Sequence, residues 1–173
     1  RSKSKDKLRL IYTCYSPYKL YHLLMKKLLF IFVLMMLPSF VYPASILIPM
    51  DDTQQNHLKA YGVVYKALDK GQKGQWLLNY RGGSFLIDYS PATDDLCLLM
   101  GVTFEQITEG QAADIFRIIE VENMERVELE KAPSIAVYSP PSNQPWDDAV
   151  TLALEYAEVP YEKLWDEEVI QGK

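Results

Sequence analysis

The feature that most constrains this chain is a run of 23 residues without a charge, from Leu28 to Met50. About 20 apolar residues suffice to span a bilayer, so the run must be weighed as a membrane helix. Pro38, Pro43 and Pro49 interrupt it, and each proline removes a backbone donor and clashes with the preceding turn. The run therefore does not predict one continuous spanning helix.

The most apolar part of the run, residues 28–37, has the length of the apolar region of a secretory signal. Lys26 and Lys27 supply the positive charge that precedes such a region, and a candidate cleavage point follows Ala44. The pattern predicts a signal peptide over residues 25–44 and an exported, periplasmic protein that meets the membrane only through this segment. An uncleaved membrane anchor and a buried core element are the two alternatives.

Residues 1–24 are basic, rich in tyrosine and without clear periodicity, and they precede a methionine that resembles a translation start. Our hypothesis is that Met25 is the initiator and that residues 1–24 are a non-native or untranslated extension. The alternative is a long basic segment that stays on the cytoplasmic side of a membrane.

The net charge of −5 conceals a division along the chain. The first 27 residues hold eight of the 18 Lys and Arg but one of the 23 acidic residues, which leaves the remainder near −12. Nucleic-acid binding needs a basic surface that displaces phosphate counterions. The composition therefore argues against a nucleic-acid partner.

The two cysteines, Cys14 and Cys97, give no reason to expect a disulfide if the first is discarded with its segment. Cys97 lies in a helical pattern and is interpreted as a small buried apolar group. His22 and His57 are far from it in sequence, and no metal-ligand spacing occurs. We predict no cofactor, no metal and no catalytic residue within this chain.

Short apolar runs alternate with amphipathic segments after Ser45. Strands are predicted over residues 45–50, 76–80, 85–87, 102–107, 127–129, 134–140 and 161–166. Helices are predicted to begin at Asp52, at Ser90-Pro91, at Thr108 and at Pro145. Continuous apolar strands joined through helices are typical of parallel sheets covered on both faces. The predicted fold class is α/β, with a doubly wound, mostly parallel open sheet of the flavodoxin-like or amidotransferase-like kind.

Ligands of such sheets bind beyond the carboxyl ends of the strands, where three loops attract attention: residues 49–52, residues 79–84 and residues 139–146. The guanidinium group of Arg81 can donate two hydrogen bonds to one anion, and the neighbouring glycines allow the backbone to approach a ligand closely. The third loop runs from Ser139 to Trp146. The candidate ligand-binding residues are Asp51, Asp52, Asn79, Arg81, Gly82 and Gly83. A glycine turn with a solvated arginine, and aspartates that cap helices, are the simpler interpretations.

Three stretches resemble a family of exported bacterial proteins commonly labelled asparagine synthetase B. They are ILIPMDDTQQNHLKAYGVVYKALDKG, WLLNYRGGSFL and IAVYSPPSNQPWDDAVTLALEYAEVPYEKLWDEEV. The resemblance implies a first α/β lobe over residues 45–131. It also implies that residues 132–173 begin a second lobe similar to class I glutamine amidotransferases, so that the chain is an N-terminal fragment.

What the resemblance implies about activity depends on residues that this chain lacks. A cysteine after Met25 and a pyrophosphate loop of the SGGxDS kind, which asparagine synthesis requires, are both missing. A G-x-C-x-G elbow with downstream His and Glu, which the amidotransferase reaction requires, would lie beyond Lys173. The expected function is that of an amidotransferase-like envelope protein. The alternative is a non-catalytic module that binds a small anionic or sugar-like ligand, with the oligomeric state left open.

Overall fold

The computed structural model of this protein describes residues 17–35 and 42–173, and the chain divides into two units, residues 1–40 and 41–173. In the first unit, helix α1 covers Pro17–Met35 and crosses the predicted boundary at Met25. Within the described residues, no helix combines the length and apolar character needed to cross a membrane. The helix break predicted at Pro38 lies outside the described residues.

The second unit contains seven strands and five helices in the described residues. The strands are β1 (Ser45–Ile48), β2 (Gly74–Leu78), β3 (Ser84–Asp88), β4 (Glu105–Ile107), β5 (Glu125–Leu129), β6 (Ala136–Tyr138) and β7 (Glu162–Leu164). The helices are α2 (His57–Asp69), α3 (Pro91–Met100), α4 (Glu109–Val121), α5 (Ala149–Ala157) and α6 (Asp166–Ile170).

The prediction of a doubly wound, mostly parallel sheet is wrong. Strands β1 to β5 form one sheet in the order β4-β1-β3-β2-β5, and every neighbouring pair is antiparallel. Its first four strands follow the β-α-β-β-α-β connection of ferredoxin-like folds. Strands β2 and β3 are joined by a five-residue hairpin, which forces them to run in opposite directions.

The prediction failed because an antiparallel sheet can also be buried on both faces. Helices α2 and α3 cover one face, which we call the first face, where Ile46, Ile48 and Ile87 belong to one buried cluster. Helix α4 covers the opposite, second face, where Leu47 and Leu86 belong to another. Alternate residues of one strand thus enter different cores, and β1 is apolar at three successive positions, Ile46 to Ile48.

Local signals place the helix ends more reliably than they place the strands. The Ser90 side chain accepts a hydrogen bond from Thr93 N, and Gly101 ends α3 in a left-handed conformation. Thr108 and Gln111 form the predicted capping box of α4. The predicted cap at Asp52 is wrong, because α2 begins later and its cap is Asn56.

Strands β6 and β7 form a separate two-stranded sheet, which is parallel, with α5 as the connection between them. This β-α-β unit is more exposed than the first sheet. Tyr138 is 60% exposed, and the Trp146 side chain is 69% exposed. Tyr138 stacks on Trp165 with ring centroids 4.8 Å apart, which shields part of both rings.

The β-α-β unit is attached to the larger sheet through a contact between α2 and α5. Gly62 lies so close to α5 that a Cβ atom there would be 1.9 Å from the carbonyl oxygen of Ala157. Glu158 accepts hydrogen bonds from Lys59, at 2.7 Å, and from Lys66. The contact therefore combines close backbone packing with a small ionic cluster.

The predicted cleavage point has a defined structural environment. Ala44 extends the pairing of β1 on both sides: its N–H donates to the carbonyl of Ile107 at 2.8 Å, and its carbonyl accepts from the N–H of Tyr89 at 3.0 Å. A chain cut after Ala44 would lose both hydrogen bonds.

Candidate functional site

Two of the three predicted loops meet at one end of the first sheet. The segment after β1 and the β2–β3 hairpin are joined by a hydrogen bond from Met50 N to the carbonyl of Arg81, at 3.1 Å. The second loop approaches the first so closely that a Cβ atom on Gly82 would lie 2.3 Å from the carbonyl oxygen of Met50. A glycine is therefore required at this point of contact.

The hairpin is held in an uncommon backbone conformation. Asn79, Arg81, Gly82 and Gly83 all have positive φ angles, of 65°, 46°, 80° and 91°. Only glycine adopts such angles without a steric cost, and asparagine tolerates them better than most residues. Arg81 is neither glycine nor asparagine, so its positive φ angle depends on the contacts that its side chain makes.

The Arg81 side chain is held by three neighbours. Its Nε donates to Asp51 Oδ2 at 2.8 Å, its Nη1 donates to Glu105 Oε1 at 2.6 Å, and its Nη2 donates to Thr53 Oγ1 at 3.2 Å. We call these four residues the Arg81 clamp. The clamp joins the hairpin to β4 and to the segment after β1.

The electrostatics of the Arg81 clamp favour a structural role. Hydrogen bonds from Thr53 and from Arg81 lower the pKa of Asp51 to about 2. Glu105 and Asp51 raise the pKa of Arg81. Two carboxylates outweigh one guanidinium, so an incoming anion would meet a net negative charge. The geometry thus favours a cross-link between loops over an anion site.

The remaining predicted residues are arranged around the clamp. Asp52 is exposed and lies next to the clamp without capping a helix. Asn79 begins the 3₁₀ turn of the hairpin, and Gly83 accepts a hydrogen bond from Trp76 Nε1 at 3.0 Å. Sequence reasoning missed Glu105, which sits on β4 and is distant along the chain. Nothing in the sequence around Glu105 indicates that its side chain contacts Arg81.

The third loop, residues 139–146, follows β6 and leads into α5. Asp147 accepts from Gln144 N at 2.8 Å, and Asp148 accepts from Val150 N and Thr151 N at 2.8 and 3.0 Å. These carboxylates therefore cap the 3₁₀ turn and helix α5, respectively. Among the described residues, no hydrogen bond or ion pair joins this loop to the Arg81 clamp.

Cys97 lies on the buried side of α3 and is fully enclosed. Burial, with a smaller contribution from Asp94, raises the pKa of its thiol to about 12. The thiolate is the nucleophilic form of cysteine, so this residue is unsuited to catalysis. The part of the chain that the structure describes also contains no cluster of His, Cys, Asp and Glu able to hold a metal ion.

Comparisons of this chain with protein-family profiles, with curated proteins and with solved structures found no match.

Proposed function

We propose that this chain belongs to an exported, glutamine-amidotransferase-like protein in which the β6–α5–β7 unit begins the amidotransferase-like domain. The third of the resembling stretches, which begins at Ile135, covers this unit. Residues 45–131 then form a companion lobe, attached through the contact between α2 and α5.

The parallel pairing of β6 and β7 is the observation that carries the proposal. Parallel strands occur almost only in α/β sheets whose faces are covered by helices. In the described residues this parallel sheet consists of two strands, and both Ala136 and Tyr138 on β6 are exposed. A β-α-β unit of this kind suits the first segment of a larger α/β sheet better than it suits an independent domain.

The described residues supply no catalytic triad, so the proposal assigns them a supporting role. Cys97 is enclosed with a raised pKa, and the His57 ring contacts the carbonyl oxygen of Met50 at 3.2 Å. The nucleophile of an amidotransferase would have to be encoded elsewhere in the gene. The companion lobe would position the catalytic domain or its substrate.

The decisive experiment begins with the gene. We would determine the reading frame around the codon for Lys173, express the complete product and measure release of ammonia from glutamine. The expected result is a G-x-C-x-G elbow with downstream His and Glu, and activity that is lost when the elbow cysteine becomes alanine. A complete product without a nucleophile, or one that folds and leaves glutamine intact, would contradict the proposal.

The alternative function, a non-catalytic module that binds a small anionic or sugar-like ligand at the β2–β3 hairpin, has less support. Arg81 already donates to Asp51 and to Glu105, and a ligand would have to displace both carboxylates. Such a site would show ligand-induced thermal stabilisation that disappears in Arg81→Ala.

A further inference from the structure

A cleft of about 320 Å³ opens on the second face of the sheet, beside α4. Leu86 from β3 and Ala112 and Phe116 from α4 give it an apolar wall. Gln75 from β2 and Glu128 from β5 line the same cleft and add polar groups. Its volume lies at the lower end of the range typical of small-molecule sites.

The side-chain amide of Gln75 has a hydrogen-bond partner for its nitrogen but none for its oxygen. Its Nε2 donates to Glu128 Oε1 at 2.7 Å, whereas its Oε1 is buried and has no hydrogen-bond partner. Because an ionised carboxylate only accepts, the amide cannot be flipped without placing two acceptors together. The missing partner of Gln75 must therefore be a donor. Gln75 lines the cleft, so a donor bound there would lie beside this amide.

The charges around the cleft favour the same kind of partner. Asp88, Glu109 and Glu128 line it together with a single cation, Lys73. The lining thus carries an excess of two negative charges. Close charges of one sign raise the local concentration of small ions of the opposite sign.

We propose that this cleft binds a small organic cation that carries amino or guanidinium groups. The nitrogen donates to Gln75 Oε1 and to the carboxylates of Glu128 and Asp88. The hydrocarbon part of the ligand packs against Leu86 and Phe116. The cleft shares no lining residue with the Arg81 clamp, and this inference does not depend on the proposed amidotransferase activity.

The test uses the full chain in a neutral detergent, with 1,4-diaminobutane as the probe and 1,4-butanediol as its uncharged analogue. We expect saturable diamine binding by calorimetry at low ionic strength, accompanied by a rise in melting temperature, and none with the diol. Glu128→Gln and Gln75→Leu should each weaken binding by about tenfold or more, because each removes a charge-assisted hydrogen bond. Glu120→Gln, on the exposed side of α4, is the matched charge control and should bind as the wild type does.

Three results would overturn the proposal: no saturable binding of the diamine by the wild type, equal binding of the diol, or wild-type affinity in both cleft variants. Circular dichroism of each variant shows whether it folds. If Gln75→Leu does not fold, Asp88→Asn replaces it, and unchanged affinity in that variant counts against the proposal in the same way.

Discussion

Replacing Gly62 by alanine tests whether the contact between α2 and α5 is as close as the structure indicates. The new Cβ atom would lie 1.9 Å from the carbonyl oxygen of Ala157 and 3.2 Å from Cε of Met100. Since a carbon and an oxygen normally stay more than about 3 Å apart, α5 would have to move by more than about 1 Å. The displaced backbone is part of the turn that places Glu158 beside its two lysines.

Two opposing effects determine how much Gly62→Ala changes the free energy of unfolding. Alanine is better than glycine in a helix interior by about 1 kcal/mol, which favours the variant. Overpacking a close contact typically costs about 1–3 kcal/mol, and a backbone obstacle yields less than a side chain does. We therefore expect Gly62→Ala to lower the free energy of unfolding by about 1–2 kcal/mol, which is on the order of 2–8 °C in melting temperature for a chain of this size.

The assay is urea unfolding followed by circular dichroism, with hydrogen exchange of residues 149–165 as the local measurement. Gly110→Ala is the matched control, because Gly110 also lies in a helix and its nearest neighbour would be 3.9 Å from the new Cβ. That variant should be as stable as the wild type or slightly more stable. If Gly62→Ala matches Gly110→Ala in stability and exchange, the close packing inferred for α2 and α5 is incorrect.

Two further predictions concern ion pairs. In Arg81→Met the pKa of Asp51, measured by carboxyl-carbon NMR titration, should rise from about 2 part of the way toward its ordinary 3.8, because the larger contribution from Thr53 remains; an unchanged pKa would show that the guanidinium does not contact this carboxylate. Lys59, followed by Lys66, lowers the pKa of Glu158 to about 2 from its ordinary 4.5. A lowered folded-state pKa stabilises the protein above the ordinary value, and this stabilisation disappears as the pH falls from about 4.5 to about 2. Glu158→Gln should therefore lose less stability than the wild type across that window, and identical acid-unfolding curves would count against the ion cluster.

The sequence and the structure agree best where the signal is local. Helix α3 begins at Ser90-Pro91 as expected and ends at Gly101, because each of these residues acts on its own turn through a cap, a fixed φ angle or a positive φ angle. The same type of signal was misread at Asp52, where a nearby asparagine competed for the cap of α2. Local patterns of this kind decide helix ends but contain no information on strand direction.

Strand direction was decided by a hairpin that the apolar pattern obscured. Asn79, Gly82 and Gly83 lie between β2 and β3, and a short connection with glycine between two apolar runs is a hairpin signal. The pairing of Arg81 with Glu105 could not be found from sequence, because it depends on β4 joining the opposite edge of β1. The loops after β1 and β2 do meet as predicted. They meet because β3 lies antiparallel between these two strands, and not because the sheet is parallel.

The central position of β1 has a consequence for the order in which the protein forms. Strand β1 is the first strand of the lobe, yet its two neighbours are β3 and β4, whose residues lie between positions 84 and 107. A chain made from its amino end presents an apolar β1 well before either neighbour has been synthesised. During that interval β1 lacks both of the strands that pair with its edges. A nascent chain of this protein therefore exposes an apolar, aggregation-prone strand until residue 107 has emerged.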